Sequence, residues 1–391
     1  MREVVLFYKR LIKPGGAERL LIKEYCYFKK MGYQVRIVSF EFKKQVRFFK
    51  EINHKDLIEL KKIKFLPQVI LLSVFLRRNR KCIFICNSGH VDFYLASVFT
   101  KIEYYLHIHQ PSFMSFNEKD KYSVFMSGAF KIFVDTNYGA KKFIEIKKSL
   151  NIFSKTFINL RSILSIRAVK KAKSVFVLSN YSVREKKAMY GVEAINIAGA
   201  LEESIFQYNP KKNINFNSFK YKLLTVARLD ENKRLDTLIH AFSIFLVKYP
   251  SSILLIGGTG PESKNLDNLI NNLKINQNVK LLGFIPDEKI YDYYAWADLF
   301  VSIDWADFRI TSYEAMAMGT KVLLSNETDE ENRLLDTGYY YLTSPDVDNV
   351  VKMIENALFN NSEISKSELL TILRKYTWSE YFSKMERIIN V

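Results

Sequence analysis

Five short apolar runs recur through the second half of this 391-residue chain, at 222–227, 253–256, 279–282, 299–302 and 322–325. Leu, Ile and Val make up most of their residues. Helical patterns begin between them near Leu235, Glu262, Asp287, Ser312 and Glu327. Strand and helix in strict alternation predict a parallel sheet wound on both faces, with its ligand outside the strands' carboxyl ends.

The first half opens the same way. An apolar strand at 4–8 leads into Pro14-Gly15-Gly16-Ala17-Glu18-Arg19, then a helical pattern through Leu21, Tyr25 and Phe28 ended by Gly32, then a strand at 35–40. That is a βαβ unit whose glycine turn lets a ligand approach the backbone, although a tight turn without a ligand also accounts for a Gly-Gly pair, and the GxGxxG spacing of a dinucleotide fingerprint is missing. Further strands are expected at 83–86, 104–109, 174–178 and 194–197, with a helix at 180–190. The Asn-rich, aperiodic stretch 208–220 separates the halves, which gives an N-terminal domain at 1–206, a linker at 207–220, a C-terminal domain at 221–375 and a last helical segment at 376–391.

Charge divides unevenly. Residues 1–200 hold 38 Lys and Arg against 15 Asp and Glu, a balance of +23, whereas residues 201–391 hold 21 against 26, or −5. The basic half should therefore face something anionic. Its segments 43–81 and 141–173 interleave cations with apolar residues such as Phe48, Phe49, Phe153, Phe157, Leu160 and Leu164. That suits docking on an anionic membrane surface, and core helices with basic, solvated ends give a similar pattern. The second segment would form one or two amphipathic helices with a cationic face. The longest apolar run, 65–76, is too short to span a bilayer and contains Pro67 and Gln68. No signal peptide is visible, and three cysteines without CxxC spacing exclude a disulfide framework and a structural zinc of that type, so a cytoplasmic, peripheral protein is expected. Nucleic acid is not an expected partner, because no zinc finger, helix-turn-helix or aromatic-basic RNA motif accompanies the charge.

Several residues stand where the strands should end. His109 closes the 104–109 strand, with His107 two residues before it and His90 at an equivalent exit, and a strand histidine bonded to a carbonyl is the plainer alternative. In the second half the exits carry Arg228 with Lys233, Gly258-Thr259-Gly260-Pro261, Gly283-Phe284, and the stretch 308–319. In that stretch Thr311 or Ser312 is the expected helix cap, with Glu314 in the first turn and Gly319 at the end. A helix start suits a phosphate and the carboxylate suits sugar hydroxyls, so the pair suits a nucleotide-sugar. Asp346-Val347-Asp348 is formally a DxD, but after Pro345 it reads as a helix cap rather than a metal site.

Taken in order, residues 226–233, Gly258 and Gly260, Val279 with Gly283, 297–301 and 308–319 resemble the motifs of glycosyltransferase family 4, retaining enzymes of the GT-B fold. Gly15 to Arg19 is similar to that family's N-terminal glycine turn, and His109-Gln110-Pro111 to its active-site histidine loop. The resemblance implies an α/β protein of two facing Rossmann-like, doubly wound domains, with the acceptor in the first, the donor in the second, and a C-terminal helix crossing back. It also implies that His109, Arg228, Lys233 and Glu314 are catalytic, with Arg228 and Lys233 neutralising the diphosphate and Glu314 holding the ribose. Backbone near Gly283 and Phe284 would read the base, Gly15 and Gly16 would admit the phosphates, and Gly258, Gly260, Ile310, Thr311 and Ser312 would complete the donor site.

Ala198-Gly199 lies where family members often have Asn-Gly, and two positions of the C-terminal half also depart from the family pattern. The residue eight before Glu314 is Ala306, where a second glutamate is usual, and Arg309 replaces a usual glycine; Asp304 or Asp307 would then take over the donor-sugar contact. The expected activity is retaining, metal-independent hexosyl transfer, without a cofactor, from a UDP- rather than a GDP-sugar to a lipid-linked or cell-surface glycan. A catalytically silent nucleotide-sugar-binding subunit is the alternative.

Overall fold

A computed structural model places residues 2–12, 16–43, 51–62, 66–109, 152–199, 201–211, 214–304, 308–326 and 333–389. They fall into two units, Met1–Ala198 with Tyr381–Val391, and Gly199–Glu380. In the first unit the strands are β1 (Glu3–Phe7), β2 (Gln34–Ser39), β3 (Leu57–Glu59), β4 (Ile83–Cys86), β5 (Tyr105–His107), β6 (Ser174–Val177) and β7 (Ile195–Asn196). They form one sheet in the order β3-β2-β1-β4-β5-β6-β7, and every ladder is parallel. Between the strands run α1 (Gly16–Lys30), α2 (Gln68–Arg78), α3 (His90–Val98), α4 (Ile152–Lys171) and α5 (Asn180–Tyr190).

The second unit repeats the plan with β8 (Tyr221–Val226), β9 (Ser252–Gly257), β10 (Val279–Gly283), β11 (Leu299–Ser302), β12 (Lys321–Ser325) and β13 (Tyr340–Thr343). Its order is β10-β9-β8-β11-β12-β13, again all parallel. Its helices are α6 (Leu235–Lys248), α7 (Ser263–Asn272), α8 (Asp287–Trp296), α9 (Ile310–Ala317), α10 (Val347–Phe359) and α11 (Lys366–Leu373). The chain then enters α12 (Trp378–Ile389), which belongs to the first unit from Tyr381 onward.

The continuous apolar runs have a direct physical cause. Leu224, Ile253, Leu255, Phe300, Val322 and Leu324 pack into one core, while their neighbours Leu223, Leu254, Ile256, Leu299, Val301 and Leu323 pack into another. Strands β8, β9, β11 and β12 each feed two cores on opposite faces of one sheet, so their central positions are apolar. In each sheet the chain builds outward on one side and then restarts on the other, so β1 lies between β2 and β4, and β8 between β9 and β11. The crevice at such a switch point, past the strands' carboxyl ends, is where an open α/β sheet takes its ligand.

Some boundaries differ from the sequence reading. The division between units comes at Ala198 and Gly199, ahead of the expected linker, because Leu201 and Ile205 are buried in the second unit's core and Leu201 pairs with Thr377. Strands β3 and β13 were not expected. The second basic segment places a single helix, α4, among the described residues, and its exposed positions are mixed, with Leu160 and Ile163 outward beside Arg167, Lys170 and Lys171. Residues 141–151 and the helix expected from Glu327 lie outside or partly outside the described residues.

Gly258 shows how closely the exits are packed. A Cβ there would come within 1.8 Å of the Ala227 carbonyl oxygen, and φ is +128°. Gly260 is similarly confined, 2.3 Å from the Leu229 oxygen. We expect Gly258→Ala to lower stability by about 2 kcal/mol, since both backbone strain and overlap must be relieved. Urea unfolding checks this; an unchanged midpoint would mean that the close approach is not maintained in solution.

Candidate functional site

In the second unit the exits of β8, β9 and β10 are laced together by backbone hydrogen bonds, Ala227 N–H to Gly257 O at 3.0 Å, Leu229 N–H to Thr259 O at 3.0 Å and Gly258 N–H to Gly283 O at 2.7 Å. The expected glycines therefore have a demand of their own, close passage of neighbouring exits, whatever else they contact. Gly283 turns with φ +69° and has nothing within 4 Å of a would-be Cβ, and Phe284 beside it is 71% exposed. A bare aromatic face at a strand exit is suited to stacking on a planar base.

At the switch point itself lies a buried carboxylate. Asp304, 2% exposed, follows β11 and accepts from Lys233 Nζ at 2.5 Å and from Ser302 Oγ at 2.7 Å, with Arg309 Nε at 3.7 Å. Burial by itself would raise its pKa, but Lys233 and Arg309 outweigh that and hold the carboxyl below the usual range. The Arg309 guanidinium also donates to the Asp304 carbonyl, and Arg234 donates to the Ile303 carbonyl at 3.0 Å. So Lys233 is anchored across the switch point. Arg228 pairs with Asp230 near the surface and keeps much of its side chain in solvent. Asp304, expected at a donor sugar, has both carboxylate oxygens engaged by the chain itself; Asp307, like Ala306, lies outside the described residues.

The helix carrying Glu314 starts earlier than expected. Arg309 occupies the cap position in extended geometry, α9 begins at Ile310, and Ser312 Oγ donates back to the Arg309 carbonyl at 2.7 Å. Neither Thr311 nor Ser312 is the cap, and Glu314 lies beyond the first turn. It is buried, with Tyr294 Oη 3.3 Å from Oε2. Asp346 behaves as the sequence suggests, accepting from Asn349 N–H at 3.0 Å as the cap of α10. No group of metal-binding side chains occurs among the described residues.

The first unit carries its own cluster. Gly16 begins α1 with nothing within 4 Å of a would-be Cβ, while Gly15 lies outside the described residues, as do Gln110 and Pro111 after His109. Lys9 past β1 meets Asp92 on α3 at 2.6 Å, so this switch point too is bridged by an ion pair. His109 Nε2 is 3.1 Å from Asn87 Oδ1, and Asn87 Nδ2 donates to Glu24 Oε2 at 2.9 Å. His107 Nδ1 meets the other oxygen of Glu24 at 2.5 Å, and Tyr381 Oη lies 3.1 Å from His107 Nε2. Burial lowers His107 to about 3, lowers His109 well below its ordinary value and raises Glu24 to about 7. His90 is held to about 4 by burial and is bonded to Ser165 Oγ at 2.7 Å.

Glu24, Asn87 and Tyr381 escaped the sequence reading. The available signal was Glu24 itself, a carboxylate in the stripe of Leu20, Leu21, Tyr25 and Phe28 that α1 buries.

Comparison with known proteins agrees with this architecture. Residues 207–376 match the family described as glycosyl transferases group 1. The alpha-monoglucosyldiacylglycerol synthase of Acholeplasma laidlawii is 29% identical over 115 residues, 29% of each chain. The mannosylfructose-phosphate synthase of Agrobacterium fabrum is 32% identical over 112 residues, 26% of this chain and 25% of the relative. The chain thus matches less than a third of the length of these two curated relatives. Over the whole of both chains, the crystal structure of Anabaena Alr3699/HepE in complex with UDP superposes with a TM-score of 0.74 at 16% identity, a likeness of fold.

Proposed function

We propose, from the match of residues 207–376 to the group 1 glycosyltransferases and the GT-B fold, that this chain is a retaining glycosyltransferase that uses a nucleoside-diphosphate sugar, UDP-linked in preference to GDP-linked. The observation that carries the reading is the arrangement at the second switch point, where Lys233 is anchored by Asp304, Arg228 stands nearby and Glu314 is buried one turn into α9. A departing nucleoside diphosphate gains negative charge, and fixed cations with a helix start stabilise it without a metal. Glu314 holds the ribose, Phe284 covers the base, and His109 serves the transferred sugar. Asp304 acts here through Lys233, keeping its ammonium oriented.

Turnover should be assayed across a panel of UDP- and GDP-sugars, with and without EDTA. The reading predicts diphosphate release from a UDP-sugar that EDTA does not affect. Nucleotide binding without turnover on any acceptor would establish the silent subunit instead, and loss of activity in EDTA would remove metal independence.

The acceptor we assign is a lipid-linked or membrane-proximal glycan, reached by docking of the basic first unit on an anionic bilayer. No described helix is long and apolar enough to cross a membrane. The support is chemical. On α2 the exposed side chains are Ile70 and Val74 followed by Arg77 and Arg78, and among the described side chains of α4 they are Leu160 and Ile163 followed by Arg167, Lys170 and Lys171; both helices pack on α3, at whose end Val98 and the following Phe99 are exposed. Apolar side chains entering the acyl boundary with cations on acidic headgroups contribute about 1 kcal/mol per basic residue. Co-sedimentation should show binding to anionic vesicles, little to neutral ones, and release at high salt. Changing Arg77, Arg78, Lys170 and Lys171 to Glu should abolish it; equal partitioning onto both vesicle types, or none, would leave a soluble acceptor.

A further inference from the structure

We propose that Glu24 and Asn87 are positioning residues that lock His109 as its Nε2–H tautomer and leave Nδ1 as the ring's open acceptor. The hydrogen bonds admit one consistent direction when Glu24 is ionised. Its Oε2 only accepts, so the Asn87 group facing it at 2.9 Å is the amide nitrogen. The amide oxygen of Asn87 is then turned to His109, and Nε2 at 3.1 Å must donate to it. A neutral imidazole carries one proton, so Nδ1 holds a lone pair. That atom is buried and has no hydrogen-bond partner. Buried polar atoms without a partner are rare, and one at a strand exit in an open α/β sheet is placed for an incoming group that can donate, such as a sugar hydroxyl.

The rest of the network occupies the other side of Glu24. Tyr381 Oη donates to Oε1 at 3.3 Å and lies 3.1 Å from His107 Nε2, His107 Nδ1–H donates to Oε1, and the imidazole is neutral because burial opposes its charge. Four elements therefore converge on one carboxylate, α1 with Glu24, the β4 exit with Asn87, β5 with His107 and α12 with Tyr381. A hydrophobic residue would fill position 24 at less cost in desolvation. What the carboxylate supplies is direction, because it can only accept, and that orients Asn87. This is the use of a second polar layer to set which ring nitrogen carries the proton.

The inference rests on the reading that His109 serves the transferred sugar, but its test needs no substrate. The full chain with 15N-labelled histidine is examined by long-range proton–nitrogen correlation at pH 8, the five histidines being assigned with His109→Gln. The wild type should show His109 protonated at Nε2 with a bare Nδ1 and a slowly exchanging Nε2 proton. In Glu24→Leu, which takes away the acceptor that orients Asn87, the two nitrogen shifts should move toward each other and the proton exchange faster. Asn87→Leu should do the same. A wild-type ring protonated at Nδ1 would overturn the proposal without any variant having to fold, as would a folded Glu24→Leu whose His109 signals are unchanged. A locked Nε2–H ring in a chain with no transferase activity would sink the transfer reading and leave this one standing.

Discussion

Arg228→Ala and Lys233→Ala should each reduce kcat by about 10²–10³-fold with a much smaller change in KM, the scale for losing one oriented donor to a developing charge. The two substitutions are expected to part company in stability. Arg228 lies largely in solvent beside Asp230, so its loss should leave thermal unfolding near the wild type. Removing Lys233 takes the 2.5 Å partner from a carboxylate that is 2% exposed and leaves Arg309 and Ser302 to hold it, so unfolding should come earlier. Steady-state kinetics with a saturating acceptor, read beside calorimetric unfolding, checks both statements. A change confined to KM would show uniform binding rather than stabilisation of the leaving group.

Asp304→Ala should destabilise the second unit by about 3 kcal/mol, because it removes the buried carboxylate that Lys233 and Arg309 share. The pH dependence has a definite sign. The folded pKa of Asp304 is depressed, so the folded state binds this proton less readily than the unfolded chain, where the pKa is about 3.9. The stabilisation is then fully present above about pH 4 and lost as pH falls through the lower folded value. Urea midpoints of wild type and variant should differ by a constant amount from pH 7 to about pH 5 and converge in stronger acid. A gap that widens in acid, or no gap at pH 7, would mean that the cations find other partners.

The parts of the fold that were legible are those where one residue type answers one demand. Strands β8 to β12 were readable to within a residue because their apolar runs recur at regular intervals, and in β8, β9, β11 and β12 those runs feed cores on both faces. Strand β13 was not, since Tyr340, Tyr341 and Thr343 at a sheet edge carry no such run, and β3 is three residues long at the opposite edge of the other sheet. Helix α9 was placed correctly but its start was not, because Arg309 caps through backbone geometry rather than with a side chain of the usual kind. Arg228, Lys233, Gly258 and Phe284 could be singled out from strand exits and motif order. The role of Glu24 could not, because although a carboxylate in an apolar stripe was visible, its partners come from positions 87, 107 and 381, and a contact across such separations leaves no spacing to read.

The central claim is that a nucleoside diphosphate seats at the exits of the second sheet with its ribose on Glu314. Calorimetric titration of UDP and GDP into the full chain tests it most directly, with EDTA present and with Glu314→Ala alongside. The account predicts that UDP binds more tightly than GDP, that EDTA leaves this unchanged, and that Glu314→Ala weakens UDP about tenfold or more, the loss of at least one charge-assisted hydrogen bond. Undetectable binding of either nucleotide, or an affinity for UDP that Glu314→Ala does not alter, would contradict it.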